Sequence, residues 1–181
     1  MQVSKYRVEM QMHLLQFCTK NKMNHFKIVP LSAEYANRIR NERKDDFGNE
    51  VIELTATGYG PCRLSLKPFK VGVDKRLLFS HSPFEINNAF NQPGPVFIAA
   101  DEVKAYSDIH RFPPEIKEDK INFPLSLIGY NERQQMVFTQ LVGDNDVDEL
   151  IEQIFAEQDE VAYLHARNAE ACCFICKIER V

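Results

Sequence analysis

The residues best suited to chemistry are a thiol and a guanidinium that follow a turn rich in glycine and proline. Segment 58–69 reads Gly-Tyr-Gly-Pro-Cys-Arg-Leu-Ser-Leu-Lys-Pro-Phe and places Cys62 next to Arg63. A nearby guanidinium favours the thiolate form of cysteine, which is the form that acts as a nucleophile. Free cysteines are also commonly buried as small hydrophobic residues, so a packing role for Cys62 stays open.

A second group of functional side chains lies in segment 162–168. If this segment is a strand, Tyr163, His165 and Arg167 share one face, and small apolar residues occupy the other. We therefore expect the polar face to border a cleft or solvent. There it would bind an anion, or supply a base beside an electrostatic clamp. A solvated sheet face with a stacked histidine is the alternative.

Neither a metal nor a cofactor is predicted from the spacing of the cysteines. Cys173 and Cys176 spell C-x-x-C, but in a strand they would point to opposite faces, while Cys172, Phe174 and Cys176 would share a side. The segment that begins at Cys62 has a serine hydroxyl where the second ligand would be, and serine is a poor zinc ligand. The G-x-S-x-G, H-E-x-x-H and P-loop motifs are absent from the sequence.

Size and charge limit the classes of function. The chain has 181 residues, is 44% hydrophobic and carries a net charge of −4, which predicts a globular domain and no nucleic-acid partner. Five cysteines and no signal peptide indicate reduced thiols and a cytoplasmic location. No apolar stretch is long enough to span a membrane, so no membrane partner is expected. A homodimer through an edge strand is permitted.

The chain divides into a short N-terminal segment and one domain. Residues 1–22 contain three methionines and lack the pattern of a folded domain. We interpret them as a helical extension or as the product of a start assigned too early. Residues 23–181 are predicted to form a single α+β domain with a mainly antiparallel sheet and two principal helices.

Hydrophobic periodicity and turn residues predict the elements of this domain. Ser32 is expected to N-cap the first helix. The second helix carries an apolar stripe: Val147, Leu150, Ile151, Ile154 and Phe155. Ile52, Leu54 and Ala56 are expected on the buried face of a strand, and segment 109–122 on the surface. Segments 123–130 and 135–142 are expected to pair as a hairpin. The predicted helices are 32–44 and 146–158, and the predicted strands are 26–29, 51–57, 76–80, 95–100, 123–130, 135–142, 161–167 and 174–179.

Several segments resemble one family in order and spacing. They are Gly-Tyr-Gly-Pro-Cys-Arg at 58–63, Leu-Leu-Phe at 77–79 followed by Pro-Phe at 83–84, Gly-Pro-Val-Phe-Ile at 94–98, Ala-Tyr-Leu-His-Ala-Arg-Asn-Ala at 162–169, and Cys-Phe at 173–174. The chain resembles the bacterial domain of unknown function 1203 family over residues 25–181. The resemblance implies no known activity or cofactor.

The chain departs from its relatives at positions that would carry chemistry. Relatives often read Cys-Arg-His-Cys-Leu where this chain reads Cys-Arg-Leu-Ser-Leu, and the tyrosine of their Tyr-x-Pro-Phe motif is His81 here. If relatives bind a metal through such positions, this chain is not expected to. The matching functional residues are Cys62, Arg63, His165, Arg167, Asn168 and Cys173.

Three hypotheses follow, and whether the protein is an enzyme stays open. In the first, the Cys62/Arg63 turn and the His165/Arg167 strand form a pocket for an anionic small molecule or a peptide terminus, with Arg63, Tyr163, Arg167 and Asn168 as ligand-binding residues. In the second, Cys62 is a nucleophile and His165 its base. In the third, these residues are structural, and Arg63 and Asn168 hydrogen-bond to backbone carbonyls.

Overall fold

The computed structural model describes residues 25–181; the predicted extension at residues 1–22 lies outside them. The helices are α1 (Ala33–Glu42), α2 (Pro114–Lys117) and α3 (Val147–Glu157). The strands are β1 (Phe26–Val29), β2 (Ile52–Thr55), β3 (Lys75–His81), β4 (Gly94–Ala99), β5 (Leu125–Tyr130), β6 (Met136–Leu141), β7 (Tyr163–Asn168) and β8 (Phe174–Arg180).

The strands form two antiparallel sheets. The larger sheet has the order β1-β8-β7-β5-β6, and the smaller has the order β2-β3-β4. Every pairing within both sheets is antiparallel. The predicted α+β fold with two principal helices is confirmed, since α2 is a single turn of four residues.

Both principal helices begin where their capping residues predict. The Ser32 hydroxyl accepts a hydrogen bond from the backbone N–H of Tyr35 at 3.0 Å. The Asp146 carboxylate accepts two from the first turn of α3, and its charge also suits the positive end of the helix dipole. The apolar stripe of α3 is buried as predicted: Val147, Leu150, Ile151, Ile154 and Phe155.

Two hydrophobic cores meet near the start of β8. One core lies between α3 and the larger sheet, and the other lies between α1 and the smaller sheet. Phe174, the first residue of β8, belongs to the core of the smaller sheet, while Ile175 and Cys176 belong to the other. Residues near Phe174 are therefore positioned by both sheets at once.

The expectation that Phe174 and Cys176 share a face is wrong because the strand is irregular. Arg167 pairs with Phe174 and Ala166 pairs with Cys176, so one extra residue, Ile175, interrupts the ladder. Such a bulge reverses the facing of the residues on either side of it. As a result, the ring of Phe174 points away from the core that contains Cys176.

Two further expectations are wrong. Ile52 is 53% exposed and Leu54 is 36% exposed, because β2 is a short edge strand; Ala56, expected on the same face, is buried, and so is Val51. Segment 109–122 is more than a surface excursion, since it buries Phe112 completely. The backbone N–H of Phe112 donates to a carboxylate oxygen of Asp148 at 2.7 Å, which ties this segment to α3.

Candidate anion site at the junction of the two sheets

The segment that contains Cys62 and Arg63 folds into a compact buried turn. The backbone N–H of Leu66 donates to the Cys62 carbonyl at 2.8 Å, and Leu66 adopts a left-handed conformation with φ 54°. The Cys62 side chain is only 2% exposed, and its Sγ accepts a hydrogen bond from the Ala99 backbone N–H at 3.3 Å. Cys62 therefore occupies the environment of a small buried residue, the alternative left open by the sequence.

Arg63 is a buried cation whose partners are uncharged groups. Its side chain is 1% exposed. Nε donates to the Phe174 carbonyl, Nη1 donates to the Pro61 carbonyl, and Nη2 donates to Cys173 Sγ at 3.4 Å. Among residues 25–181, no carboxylate lies within ion-pair distance of it. Its bonds to backbone carbonyls match the structural hypothesis.

Desolvation is the dominant electrostatic effect on Arg63. Burial lowers the pKa of its guanidinium, and the nearby thiols of Cys173, Cys62 and Cys176 oppose that shift. A buried charge without an opposite charge is costly, so the hydrogen bonds from two carbonyls are needed to hold it in place. A negatively charged group at this site would therefore offset the positive charge of Arg63.

His165 is fully buried, so the expectation that the polar face of β7 borders a cleft or solvent is wrong for this residue. Its side chain is 0% exposed, and neither ring nitrogen has a hydrogen-bond partner. Four rings surround the imidazole at centroid distances of 4.6 to 5.2 Å: Phe84, Tyr130, Tyr163 and Phe174. Burial, followed by the charges of Arg167 and Lys177, holds the pKa of His165 well below its ordinary value.

The structure does not bring Cys62 and His165 together as a catalytic pair. A general base must lie within hydrogen-bond reach of its nucleophile. The His165 nitrogens have no partner, and the Cys62 sulfur is bonded to the backbone of β4. The two side chains therefore make no hydrogen bond to each other.

Tyr163 and Asn168 have structural partners. The Tyr163 ring stacks on Tyr130 at 5.5 Å, and Lys177 Nζ lies 4.6 Å from the centroid of its ring. Burial raises the pKa of the Tyr163 phenol. The Asn168 side-chain oxygen accepts hydrogen bonds from the backbone N–H groups of Glu170 and Ala171, at 3.0 and 2.6 Å. Asn168 thus shapes the β7–β8 turn, although the structural hypothesis expected it to donate to carbonyls.

Arg167 lines an open pocket that is separate from the one lined by Tyr163. Its Nη1 donates to the Cys172 carbonyl at 3.0 Å, whereas its buried Nε has no hydrogen-bond partner. The cavity beside it has a volume of about 210 Å³ and is lined by His81, Pro83, Gln92, Arg167, Cys172 and Cys173, among others. We call it the Arg167 pocket. Arg63 does not line this pocket; it lies behind Cys173, to which its Nη2 donates a hydrogen bond.

Cys62 lines a different and larger cavity. This second pocket has a volume of about 640 Å³, and its wall includes Lys67, Lys70 and Tyr106. The predicted single pocket formed by Cys62 and Arg167 is therefore two separate pockets. Arg63 and His165 line neither of them.

His81 is a site residue that the sequence reasoning missed. It lines the Arg167 pocket, and its Nδ1 lies 3.4 Å from the hydroxyl of Tyr35. That hydroxyl donates to Asp46 Oδ2 at 2.7 Å. Burial lowers the pKa of His81 to about 4, so its imidazole is neutral at neutral pH. The sequence signal for this residue was its position two residues before Pro83, where the family motif has a tyrosine.

Within residues 25–181, no cluster of three histidine, cysteine or acidic side chains is arranged to hold a metal ion. None of the helices in that range is long and apolar enough to cross a membrane.

Comparison with known proteins identifies the family. Residues 58–180 match the family described as "Protein of unknown function (DUF1203)". This match covers more than half of the chain, and it includes the Cys62 turn, the His81 strand and the β7–β8 turn. The chain belongs to this family. No curated protein and no solved structure matches it.

Proposed function

We propose that the protein binds a small anion in the Arg167 pocket. The observation that carries this proposal is the guanidinium of Arg167, which lines the pocket and has no carboxylate partner among residues 25–181. A carboxylate or another oxyanion in the pocket would bind this guanidinium through charge-assisted hydrogen bonds. Arginine is well suited to planar or tetrahedral oxyanions because its donors form a rigid fork.

The charge around the pocket also supports an anionic ligand. No aspartate or glutamate is among the described residues that line it. Arg63 adds a second positive charge behind Cys173, and that charge has no carboxylate partner within residues 25–181. An anion in the pocket would interact favourably with both guanidiniums. The His81 imidazole is neutral at pH 7. It would therefore form a hydrogen bond with the ligand without repelling a protonated group on it.

The size of the pocket limits the ligand. Pockets for drug-sized molecules measure about 300 to 1,000 Å³, whereas this one measures about 210 Å³. The ligand is therefore an inorganic oxyanion, a small carboxylic acid or the carboxylate terminus of a peptide. The proposal includes a bacterial cytosol as the location, where the free thiols at Cys172 and Cys173 would stay reduced.

Isothermal titration calorimetry with sulfate and with acetate, at constant ionic strength, tests the proposal. Arg167→Gln should weaken binding by at least about tenfold, because a hydrogen bond to a charged group contributes about 1.5–3 kcal/mol. Arg133→Gln is the matched control, since it removes the same charge from an exposed turn. Equal binding by the wild type and Arg167→Gln would contradict the proposal, as would the absence of saturable binding of either anion to the wild type.

A further inference from the structure

The thiol of Cys173 is the ionisable group in direct contact with the buried guanidinium of Arg63. Nη2 donates to Cys173 Sγ at 3.4 Å, and the other two partners of the guanidinium are neutral carbonyls. A thiolate in this position would supply the negative charge that the site lacks. Cationic neighbours favour the thiolate in reactive cysteines, and the thiolate is the nucleophilic form.

The other two thiols near Arg63 are less suited to this role. Cys176 is fully buried, and burial raises the pKa of its thiol to about 12, so it stays protonated. Cys62 is 2% exposed, and its Sγ bonds to the backbone N–H of Ala99. Cys173 is half-buried and lines the Arg167 pocket, so a small reagent can reach it.

We propose that Cys173, whose thiol contacts the buried guanidinium of Arg63, is the site at which hydrogen peroxide or a comparably small electrophile modifies this protein. The inference goes beyond anion binding, because the contact between Arg63 and Cys173 exists without a bound ligand. The titratable groups that share the pocket with Cys173 are His81, Arg167 and Cys172, and none of them is a carboxylate. Burial keeps the pKa of His81 low, at about 4.

The chemical step is balanced with peroxide as the oxidant. Cys173 Sγ attacks one peroxide oxygen, so that an S–O bond forms and the O–O bond breaks. Two electrons pass from sulfur to the departing oxygen, which leaves as hydroxide and is neutralised by a proton from the buffer. The product is a sulfenic acid at Cys173, the first and reversible stage of cysteine oxidation.

Cys172 is a built-in control for the reactivity of Cys173. It is the preceding residue, and it is more exposed than Cys173. If steric access alone set the rates, Cys172 would therefore react faster than Cys173. The two residues lie in one tryptic peptide, 168–177, whose fragmentation in the mass spectrometer distinguishes them.

The experiment alkylates the full chain with iodoacetamide at about pH 6 and measures the rate at each cysteine. An ordinary thiol is only about 0.3% ionised at that pH, so a thiol without a cationic neighbour should react slowly. We expect Cys173 to react at least about tenfold faster, after allowing for the lower intrinsic nucleophilicity of a stabilised thiolate. Equal rates at the two residues, or a faster Cys172, would overturn the proposal.

Two further measurements complete the test. Brief exposure to hydrogen peroxide in the presence of dimedone should label Cys173 in preference to Cys172, and a preference for Cys172 would count against the proposal. Arg63→Met should abolish the rate advantage of Cys173, while Arg133→Gln should keep it. If Arg63→Met does not fold, the wild-type rates decide the matter. The alkylation rates do not depend on whether sulfate binds. The proposal for Cys173 and the proposal for anion binding can therefore fail separately.

Discussion

Replacing His165 with phenylalanine should remove a specific sensitivity to acid. In the folded protein the imidazole lies among four aromatic rings, and burial keeps its pKa well below the ordinary value. In the unfolded chain the same side chain takes up a proton as the pH falls through about 6.5. The unfolded state therefore binds more protons in acid. Stability from this residue is complete above about pH 6.5 and is lost as the pH falls below it.

The size of the effect follows from proton linkage. While the imidazole is protonated only in the unfolded chain, the free energy of unfolding falls by about 1.4 kcal/mol per pH unit. Between pH 7 and pH 5 His165 accounts for a loss of about 2 kcal/mol. His165→Phe removes this loss, so the variant should gain about 2 kcal/mol relative to the wild type over this interval. Taking the difference between two pH values cancels any change in packing that does not depend on pH.

Urea unfolding of both proteins at pH 7 and pH 5, followed by circular dichroism, measures this quantity. The control is His25→Phe, because the His25 side chain is 73% exposed. Surface substitutions usually change stability by less than about 0.5 kcal/mol. If His165→Phe loses as much stability as the wild type between the two pH values, the buried, neutral state assigned to His165 is refuted.

Two further substitutions test the packing around the site. Gly129→Ala should destabilise the fold by about 1–3 kcal/mol, because its Cβ would lie 2.8 Å from Val161 and 2.9 Å from Phe138; Gly94→Ala, with no atom near its Cβ, is the control in urea unfolding. Asp45→Ala should cost about 2–4 kcal/mol at pH 7, because three backbone N–H groups and one side-chain amide lose a charged acceptor. These hydrogen bonds outweigh burial and lower the pKa of Asp45, so its contribution should disappear only as the pH falls below about 4. If Gly129→Ala or Asp45→Ala unfolds at the same urea concentration as the wild type, the contacts described for that residue are contradicted.

Much of the fold was predictable because local signals were strong. The cap at Ser32 and the apolar stripe of α3 located both principal helices. The strands β5 and β6 pair as the predicted hairpin. These features depend on residues close together in sequence, so no knowledge of tertiary contacts was needed.

The errors arose where tertiary contacts decide which face is buried. Alternation correctly placed His165 opposite the core of the larger sheet, but that face is covered by Phe84, from the loop after β3, and by Phe174. The bulge at Ile175 turned Phe174 toward His165, and a two-residue period cannot reveal such an insertion. Because this face is covered, His165 lies in an aromatic enclosure and not beside the open cleft that was predicted.

The candidate site was predicted in part. Arg63 and Arg167 were both identified, and both lie near the Arg167 pocket. Cys62 and His165 were singled out because thiols and imidazoles are common catalytic groups, yet Cys62 lines a separate pocket and His165 is enclosed by aromatic rings. His81 and Cys173 replace them at the pocket, because the pairing of β7 with β8 brings the β7–β8 turn close to the end of β3.

Titration of the ¹⁵N-labelled protein with sulfate, monitored by two-dimensional NMR, tests the central claim most directly. Binding in the Arg167 pocket predicts saturable shifts of the backbone amides of residues 167–174 and of His81, with little change in the α3 helix. Arg167→Gln should abolish these shifts. Saturable shifts confined to Lys67 and Lys70 would assign the anion to the other pocket. That result, or a complete lack of saturable shifts, would contradict the account.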